Sequence, residues 1–122
     1  MQESKRKLLN LLFGQKCEQI AAKYLERKGY VIVVRNFRYK GGEIDIIAKK
    51  GSKLSFVEVK GRKVLSFGSA KEAVNYKKQE RIKEGAKLFI LKNNLDENSF
   101  DISFDVISIE NNSIEWVENA FT

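Results

Sequence analysis

The sequence predicts an α/β domain with a mixed β-sheet that is antiparallel at its centre and flanked by helices. Three observations lead to this prediction: stretches with apolar residues at helical spacing, stretches rich in β-branched and aromatic residues, and their order, α-β-β-β-α-β-β. A chain of 122 residues is also the usual size of one domain. We therefore expect residues 1–122 to form a single domain around one sheet.

The first half of the chain predicts one helix and three strands. Apolar residues on a common face indicate a helix from about residue 5 to residue 29, and Gly29 suits its end. Residues 30–39 are rich in Val, Phe and Tyr, which is typical of a strand. Residues 43–50 and 53–60 predict a hairpin, because the Gly51-Ser52 pair between them suits a two-residue type II′ turn.

The second half predicts a helix and two further strands. Residues 69–92 have one apolar and one basic face, which indicates an amphipathic helix. The polar residues 93–99 predict a loop, and residues 101–110 alternate between apolar and polar as a strand does. Asn111 and Asn112 predict a turn before a short last strand at residues 113–118.

Composition limits the chemistry available to this chain. It has no His and one Cys, which excludes zinc sites, Ser-His-Asp triads and imidazole catalysis. The lone Cys17 and a first segment without a cleavage site predict a cytoplasmic protein with no signal peptide. The 23 Lys and Arg against 16 Asp and Glu give a net charge of +7, which favours a polyanionic partner such as nucleic acid.

The predicted hairpin brings charged residues together in strands that are otherwise apolar. If Lys50 and Lys53 flank its turn, Asp45 faces Glu58 across the strands. Because side chains alternate along a strand, four charged side chains should share one face: Glu43, Asp45, Glu58 and Lys60. In the same way, four apolar side chains should share the other: Ile44, Ile46, Val57 and Val59.

Two facing carboxylates in a mostly buried strand pair need compensation, since like charges opposed across a sheet are destabilising. A divalent cation such as Mg²⁺ or Mn²⁺ would provide it, because carboxylate oxygens are its preferred ligands. Lys60 would then stabilise negative charge on a scissile phosphate, and the assembly would hydrolyse phosphodiesters. The alternative is a cross-strand ion pair between Glu43 and Lys60, with the two acids at a solvated sheet end; the apolar neighbours favour the cation site.

An acid followed by a Glu-Val-Lys strand end resembles the PD-(D/E)XK nuclease superfamily, which includes restriction endonucleases and Holliday-junction resolvases. A longer series of segments resembles the YraN-like family of bacterial proteins, from Gly14 to about Ile109: AAKYLERKGY, NFRYKGGEIDIIA, FVEVKGR, FGSAKEAV, KKQERI and FDVISI. The resemblance implies a restriction-endonuclease-like fold and a metal-dependent nuclease site.

Carried over by position, the resemblance assigns site residues to this chain. The family's GEID and EVK segments imply four catalytic residues: Asp45, Glu58, Lys60 and Glu43. The helix acid of resolvase-like members corresponds to Glu18, which implies three metal ligands: Asp45, Glu58 and Glu18. Glu18 could equally be a solvent-facing acid. One departure is Cys17, where the family often has Gly, which puts the close packing of the first helix in question.

Basic residues around this site predict nucleic-acid contacts, since Lys and Arg bind phosphates without reading sequence. The candidates are Arg38, Lys40, Arg62, Lys63, Lys78, Gln79 and Arg81, of which Gln79 rests on the resemblance to a second-helix glutamine. The leading hypothesis is an Mg²⁺- or Mn²⁺-dependent endonuclease that acts on DNA, including branched or flapped DNA, with a homodimer suited to symmetric substrates. The alternative is a non-catalytic nucleic-acid-binding domain that acts through a partner protein.

Overall fold

Two helices and five strands make up the part of the chain that the computed structural model describes, residues 2–62, 74–111 and 113–122. In chain order they are α1 (Gln2–Arg27), β1 (Val31–Tyr39), β2 (Gly42–Lys50), β3 (Lys53–Arg62), α2 (Tyr76–Lys92), β4 (Asp101–Glu110) and β5 (Ser113–Phe121). A 3₁₀ turn, Glu97–Ser99, precedes β4. The predicted order α-β-β-β-α-β-β is confirmed.

Both helices have ends that the sequence explains. After α1, Gly29 has a φ of 94°, and the Tyr30 N–H donates to the Leu25 carbonyl at 3.0 Å, as in a Schellman motif. The predicted start of the second helix at residue 69 is wrong: the side chain of Asn75 caps the helix, which begins at Tyr76. Residues 69–73 lie outside the described part of the chain.

The five strands form one mixed sheet in the order β1-β2-β3-β4-β5. β3 and β4 are parallel, and the other neighbours are antiparallel. The predicted antiparallel centre is therefore correct for β2 with β3 and wrong for β3 with β4. The reason is the connection between these two strands. The segment that contains α2 returns the chain to the end of the sheet where β3 begins, so β4 runs in the same direction as β3.

The helices pack on opposite faces of the sheet. α1 contributes Cys17, Ala21 and Leu25 to one core cluster, which includes Ile46 and Val57. α2 contributes its own apolar face to a second cluster with sheet residues: Ile82, Ala86, Phe89, Ile44, Phe56 and Val106. The result is a three-layer arrangement. Neither described helix has the length and hydropathy that a membrane span requires.

Close packing of α1 on β3 depends on a residue without a side chain. Cys17 is buried, and a methyl group on Gly61 would overlap its Sγ atom and lie 2.7 Å from Cε2 of Phe13. Burial also raises the pKa of the Cys17 thiol. Gly61 thus provides the space that Cys17 occupies. The first helix can therefore pack closely although this chain has Cys17 where the family often has Gly.

Gly61→Ala is expected to destabilise the fold by about 1–3 kcal/mol, because the added methyl group forces α1 away from β3. Adding Cys17→Ala should recover part of that loss, since it removes the sulfur atom that the methyl group meets. Urea unfolding of the two single variants and the double variant measures the coupling. Strictly additive losses would show that Cys17 and Gly61 do not share this contact.

Candidate metal and phosphodiester site

The regular pattern of β1 and β2 is interrupted where the two strands meet α1. Arg35 pairs with Ile46 and Phe37 with Ile44, but the residues between them, Asn36 and Asp45, are not paired as a ladder. Asn36 has a φ of 54°, a left-handed conformation that Asn tolerates better than most residues. Both strands therefore change their alternation at the same level of the sheet.

This interruption corrects the predicted distribution of side chains. Ile46 belongs to the core cluster under α1, whereas Ile44 belongs to the cluster under α2. Residues two apart on a regular strand would share a face, so the prediction that Ile44 lies with Ile46 and Val57 is wrong. The predicted alternative ion pair of Glu43 with Lys60 is also wrong, because no ion pair within the described ranges joins the two residues.

The predicted hairpin register is confirmed next to the site. Lys50 pairs with Lys53, and the register continues as far as Ile46 with Val57. Beyond that pair, the Val59 N–H donates to Oδ2 of Asp45 at 2.8 Å, so a side chain replaces the next ladder partner. Burial, and then the negative charge of Glu58, raise the pKa of Asp45 to about 7. Asp45 and Glu58 are therefore close neighbours, as predicted.

Three carboxylates converge at this end of the sheet. Glu18 of α1 and Glu43 and Asp45 of β2 each offer an oxygen within 4.8 Å of the others. Burial and the charge of Asp45 raise the pKa of Glu18. In the amide orientation that satisfies both acids, Asn36 donates to Glu43 Oε1 at 2.5 Å and to Glu18 Oε1 at 3.0 Å. Glu18 thus faces the sheet, and the solvent-facing alternative is wrong.

The carboxylates open into a cleft of about 300 Å³ between α1 and the β1–β2 strands. Its lining includes Asn10, Gly14 and Gln15 of α1 and Arg38 of β1. The Arg38 Nε atom lies 3.7 Å from Oε2 of Glu43 and its side chain is 80% exposed. The cleft therefore gives access to the carboxylates from the side of Arg38.

Glu58 lies on the other side of the strand end and is not one of the three clustered acids. The prediction that Glu43, Asp45, Glu58 and Lys60 share one face is therefore wrong, because Glu43 faces α1 and Glu58 faces α2. Its side chain is 5% exposed, and Oε1 lies 3.0 Å from Nζ of Lys78 in α2. Oε2 is buried with no hydrogen-bond partner in the described part of the chain. Burial and then the positive charge of Lys78 lower the pKa of the half-buried Lys60, which also lies near Glu58 and Asp45.

The residues predicted to contact nucleic acid lie in different parts of the structure. Arg38 lines the cleft, Lys40 is exposed in the β1–β2 turn, and Arg81 is exposed on α2. Gln79 is engaged, since its amide donates to the Val74 carbonyl at 2.9 Å. Arg62 ends β3. Lys63 lies outside the described residues.

Sequence reasoning missed two contacts of this site. Asn36 was not a candidate, although an Asn inside a strand pattern is a signal of irregular backbone. Lys78 was predicted to bind phosphate, and its pairing with Glu58 was not foreseen. No local pattern connects residues 20 positions apart on different elements, so this second contact had no sequence signal.

Comparison with known proteins agrees with the motifs. The family model described as "Uncharacterised protein family UPF0102" matches residues 17–109. The chain belongs to the UPF0102 family. This is the YraN-like family that the sequence segments predict, and the matched range contains the acids of α1, β2 and β3.

Relatives come from distant bacteria. A UPF0102 protein of Clostridium botulinum (strain 657) is 46% identical over 110 residues, which cover 85% of this chain and 89% of the relative. One of Alkaliphilus oremlandii is 42% identical over 117 residues, covering 93% and 100%. One of Photobacterium profundum is 44% identical over 109 residues, covering 88% and 87%. UPF0102 similarity therefore extends over nearly the whole chain.

Proposed function

We propose that this protein is a metal-dependent endonuclease of the PD-(D/E)XK type that hydrolyses phosphodiester bonds in DNA. The observation that carries the proposal is the convergence of Glu18, Glu43 and Asp45 within 4.8 Å beside the buried Glu58. A mixed five-stranded sheet between helices supports a restriction-endonuclease-like fold. The proposal includes a cytoplasmic location and pairing of two chains on symmetric substrates.

The donor set fits a hard divalent cation. All the candidate ligands are carboxylates, which Mg²⁺ and Mn²⁺ prefer over softer donors. Like charges this close are unfavourable without a cation, and the Oε2 atom of Glu58 is buried with no hydrogen-bond partner among the described residues. The residues that would hold the cation are the clustered Glu18, Glu43 and Asp45, with Glu58 beside Asp45 as a further ligand from the other side of the strand end. Bound Mg²⁺ supplies Lewis-acid polarisation of a phosphate and lowers the pKa of a coordinated water.

The chain's own residues orient and stabilise the reacting groups. Asp45 is held by the Val59 N–H, so its second oxygen keeps a fixed direction. The ammonium group of Lys60 lies on the same strand two residues from Glu58, where it stabilises negative charge that develops on the phosphate. Arg38 at the cleft, Lys40 in the β1–β2 turn and Arg81 on α2 attract the flanking phosphates.

The test is cleavage of a panel of duplex, flapped and four-way DNA by the purified protein with Mg²⁺ or Mn²⁺. We expect cutting that needs the cation and that falls by about 10²-fold or more in Glu58→Gln, because this change removes one negative ligand. Glu97→Gln, an exposed acid in the 3₁₀ turn, is the matched control and should cut normally.

Two results would contradict the nuclease proposal. Cutting that persists unchanged in both Glu58→Gln and Asp45→Asn would place the activity elsewhere or in a contaminant. Salt-dependent DNA binding with no cutting of any substrate in the panel would favour the accessory-domain alternative. An RNA panel run in parallel separates the two nucleic acids.

A further inference from the structure

The buried Glu58 has a lysine partner from another element, and this pairing has consequences for the candidate site. We propose that Lys78 is a positioning residue: its ammonium group holds Glu58 in the cation-free protein and yields that carboxylate to an arriving divalent cation. The inference rests on the proposed function, since it concerns the same cation site. It adds that the Lys78 ammonium group and the cation compete for the Glu58 carboxylate.

The geometry of the pair suits a replaceable partner. Lys78 Nζ contacts only one oxygen of Glu58, Oε1, at 3.0 Å, and leaves Oε2 buried without a hydrogen bond in the described residues. A buried carboxylate with one free oxygen is incompletely compensated, because each unsatisfied polar atom costs free energy. An arriving cation would compensate the carboxylate that Lys78 compensates only in part.

The start of α2 keeps Lys78 beside Glu58. Its backbone N–H donates to the Oδ1 atom of Asn75, the capping residue, at 2.9 Å. The neighbouring Gln79 side chain binds the Val74 carbonyl, which fixes the segment entering the helix. The backbone at Lys78 is therefore fixed, while the flexible side chain is 38% exposed and has space to leave Glu58.

Charge decides which partner prevails. A divalent cation carries twice the charge of an ammonium group and can interact with several of the clustered carboxylates at once, whereas the ion pair of Lys78 is with Glu58. Once displaced, the ammonium group lies at the rim of a site beside Lys60, where a substrate phosphate is the natural new partner. Cation loading and substrate capture would thereby be coupled through one lysine.

The experiment measures Mn²⁺ affinity of the intact chain by titration calorimetry, with no nucleic acid present. Lys78→Gln should bind Mn²⁺ about 5- to 10-fold more tightly than wild type, because the competing ammonium group is gone. Lys77→Gln, which removes the same charge from the adjacent exposed residue, should change the affinity less than about twofold. Lys78→Arg keeps the pair and should bind no more tightly than wild type.

A double variant separates competition for Glu58 from general charge removal. In a Glu58→Gln background, Lys78→Gln should no longer tighten Mn²⁺ binding, because the shared carboxylate is absent. An equal gain in both backgrounds, or equal affinities for Lys78→Gln and Lys77→Gln, would overturn the proposal. If Lys78→Gln does not fold, an Mn²⁺ affinity for Lys78→Arg clearly above that of wild type overturns it instead.

These outcomes are distinct from those that test the nuclease. If the wild type cuts DNA but Lys78→Gln binds Mn²⁺ with the wild-type affinity, the competition is refuted and the nuclease proposal is unaffected. If Lys78→Gln binds Mn²⁺ more tightly as described but the wild type cuts nothing in the panel, the competition is supported and the nuclease proposal is refuted.

Discussion

Replacing Asp45 by Asn is expected to abolish DNA cleavage and yet to stabilise the protein at pH 8. The proposed cleavage should fall by about 10³-fold, because the variant loses a negative charge within the carboxylate group that would hold the cation. The Asn side chain still has an oxygen to accept the Val59 N–H, so the strand end keeps its hydrogen bond. The variant loses the charge and retains the structure.

The stability gain follows from the raised pKa of Asp45. Since that pKa is about 7 in the folded chain against an ordinary 3.8, the folded protein binds a proton that the unfolded chain releases between these values. Wild-type stability therefore falls as the pH rises from about 4 to about 7. Asp45→Asn removes this loss, so it should be more stable than wild type at pH 8 by up to about 4 kcal/mol.

Urea unfolding at several pH values between 5 and 8, without divalent cations, checks this prediction. The difference between Asp45→Asn and wild type should shrink as the pH falls below about 7. Asp101→Asn, an exposed change at the start of β4, should leave both the stability and its pH dependence unaltered. An Asp45→Asn protein less stable than wild type at pH 8 would mean that the charge of Asp45 is already compensated.

The second large effect concerns Asp105, a fully buried acid of β4 far from the candidate centre in sequence. Its carboxylate accepts hydrogen bonds from the Ser103 hydroxyl, from Trp116 Nε1 at 3.0 Å and from the Asn119 N–H at 3.1 Å. These bonds occupy the level where the register of β4 with β5 shifts. Asp105 thus substitutes for missing ladder bonds at the edge of the sheet.

Asp105→Ala is expected to destabilise the protein by about 2–4 kcal/mol, because it removes the acceptor of three hydrogen bonds, one from the buried Ser103 hydroxyl and two from part-buried donors of β5. Asp105→Asn retains one oxygen and should lose less. Urea unfolding gives both values, and Trp116 fluorescence reports the same region. Asp101→Ala is the exposed control from the same strand, and a loss from Asp105→Ala no larger than from this control would show that β5 does not depend on the carboxylate.

Patterns among residues that are neighbours in the chain were sufficient to predict several features of this protein. Gly29 predicted the end of α1, and the Gly51-Ser52 turn predicted the hairpin register that brings Asp45 next to Glu58. These features depend on residues that are neighbours in the chain, where turn chemistry and alternation determine the geometry. The element order could be predicted for the same reason, and the family from the resemblance of successive segments.

Other features depended on contacts between distant segments. The alternation of β1 changes at the left-handed Asn36 and that of β2 at Asp45, so Ile44 and Ile46 lie on opposite faces although the sequence alternates regularly. Packing of α1 decided that Glu18 meets Glu43 and Asp45. Packing of α2 on the other face brought Lys78 to Glu58. Local preferences act over a few residues, whereas burial of two helices on one sheet selects which distant charges meet, so only the tertiary structure reveals these pairs.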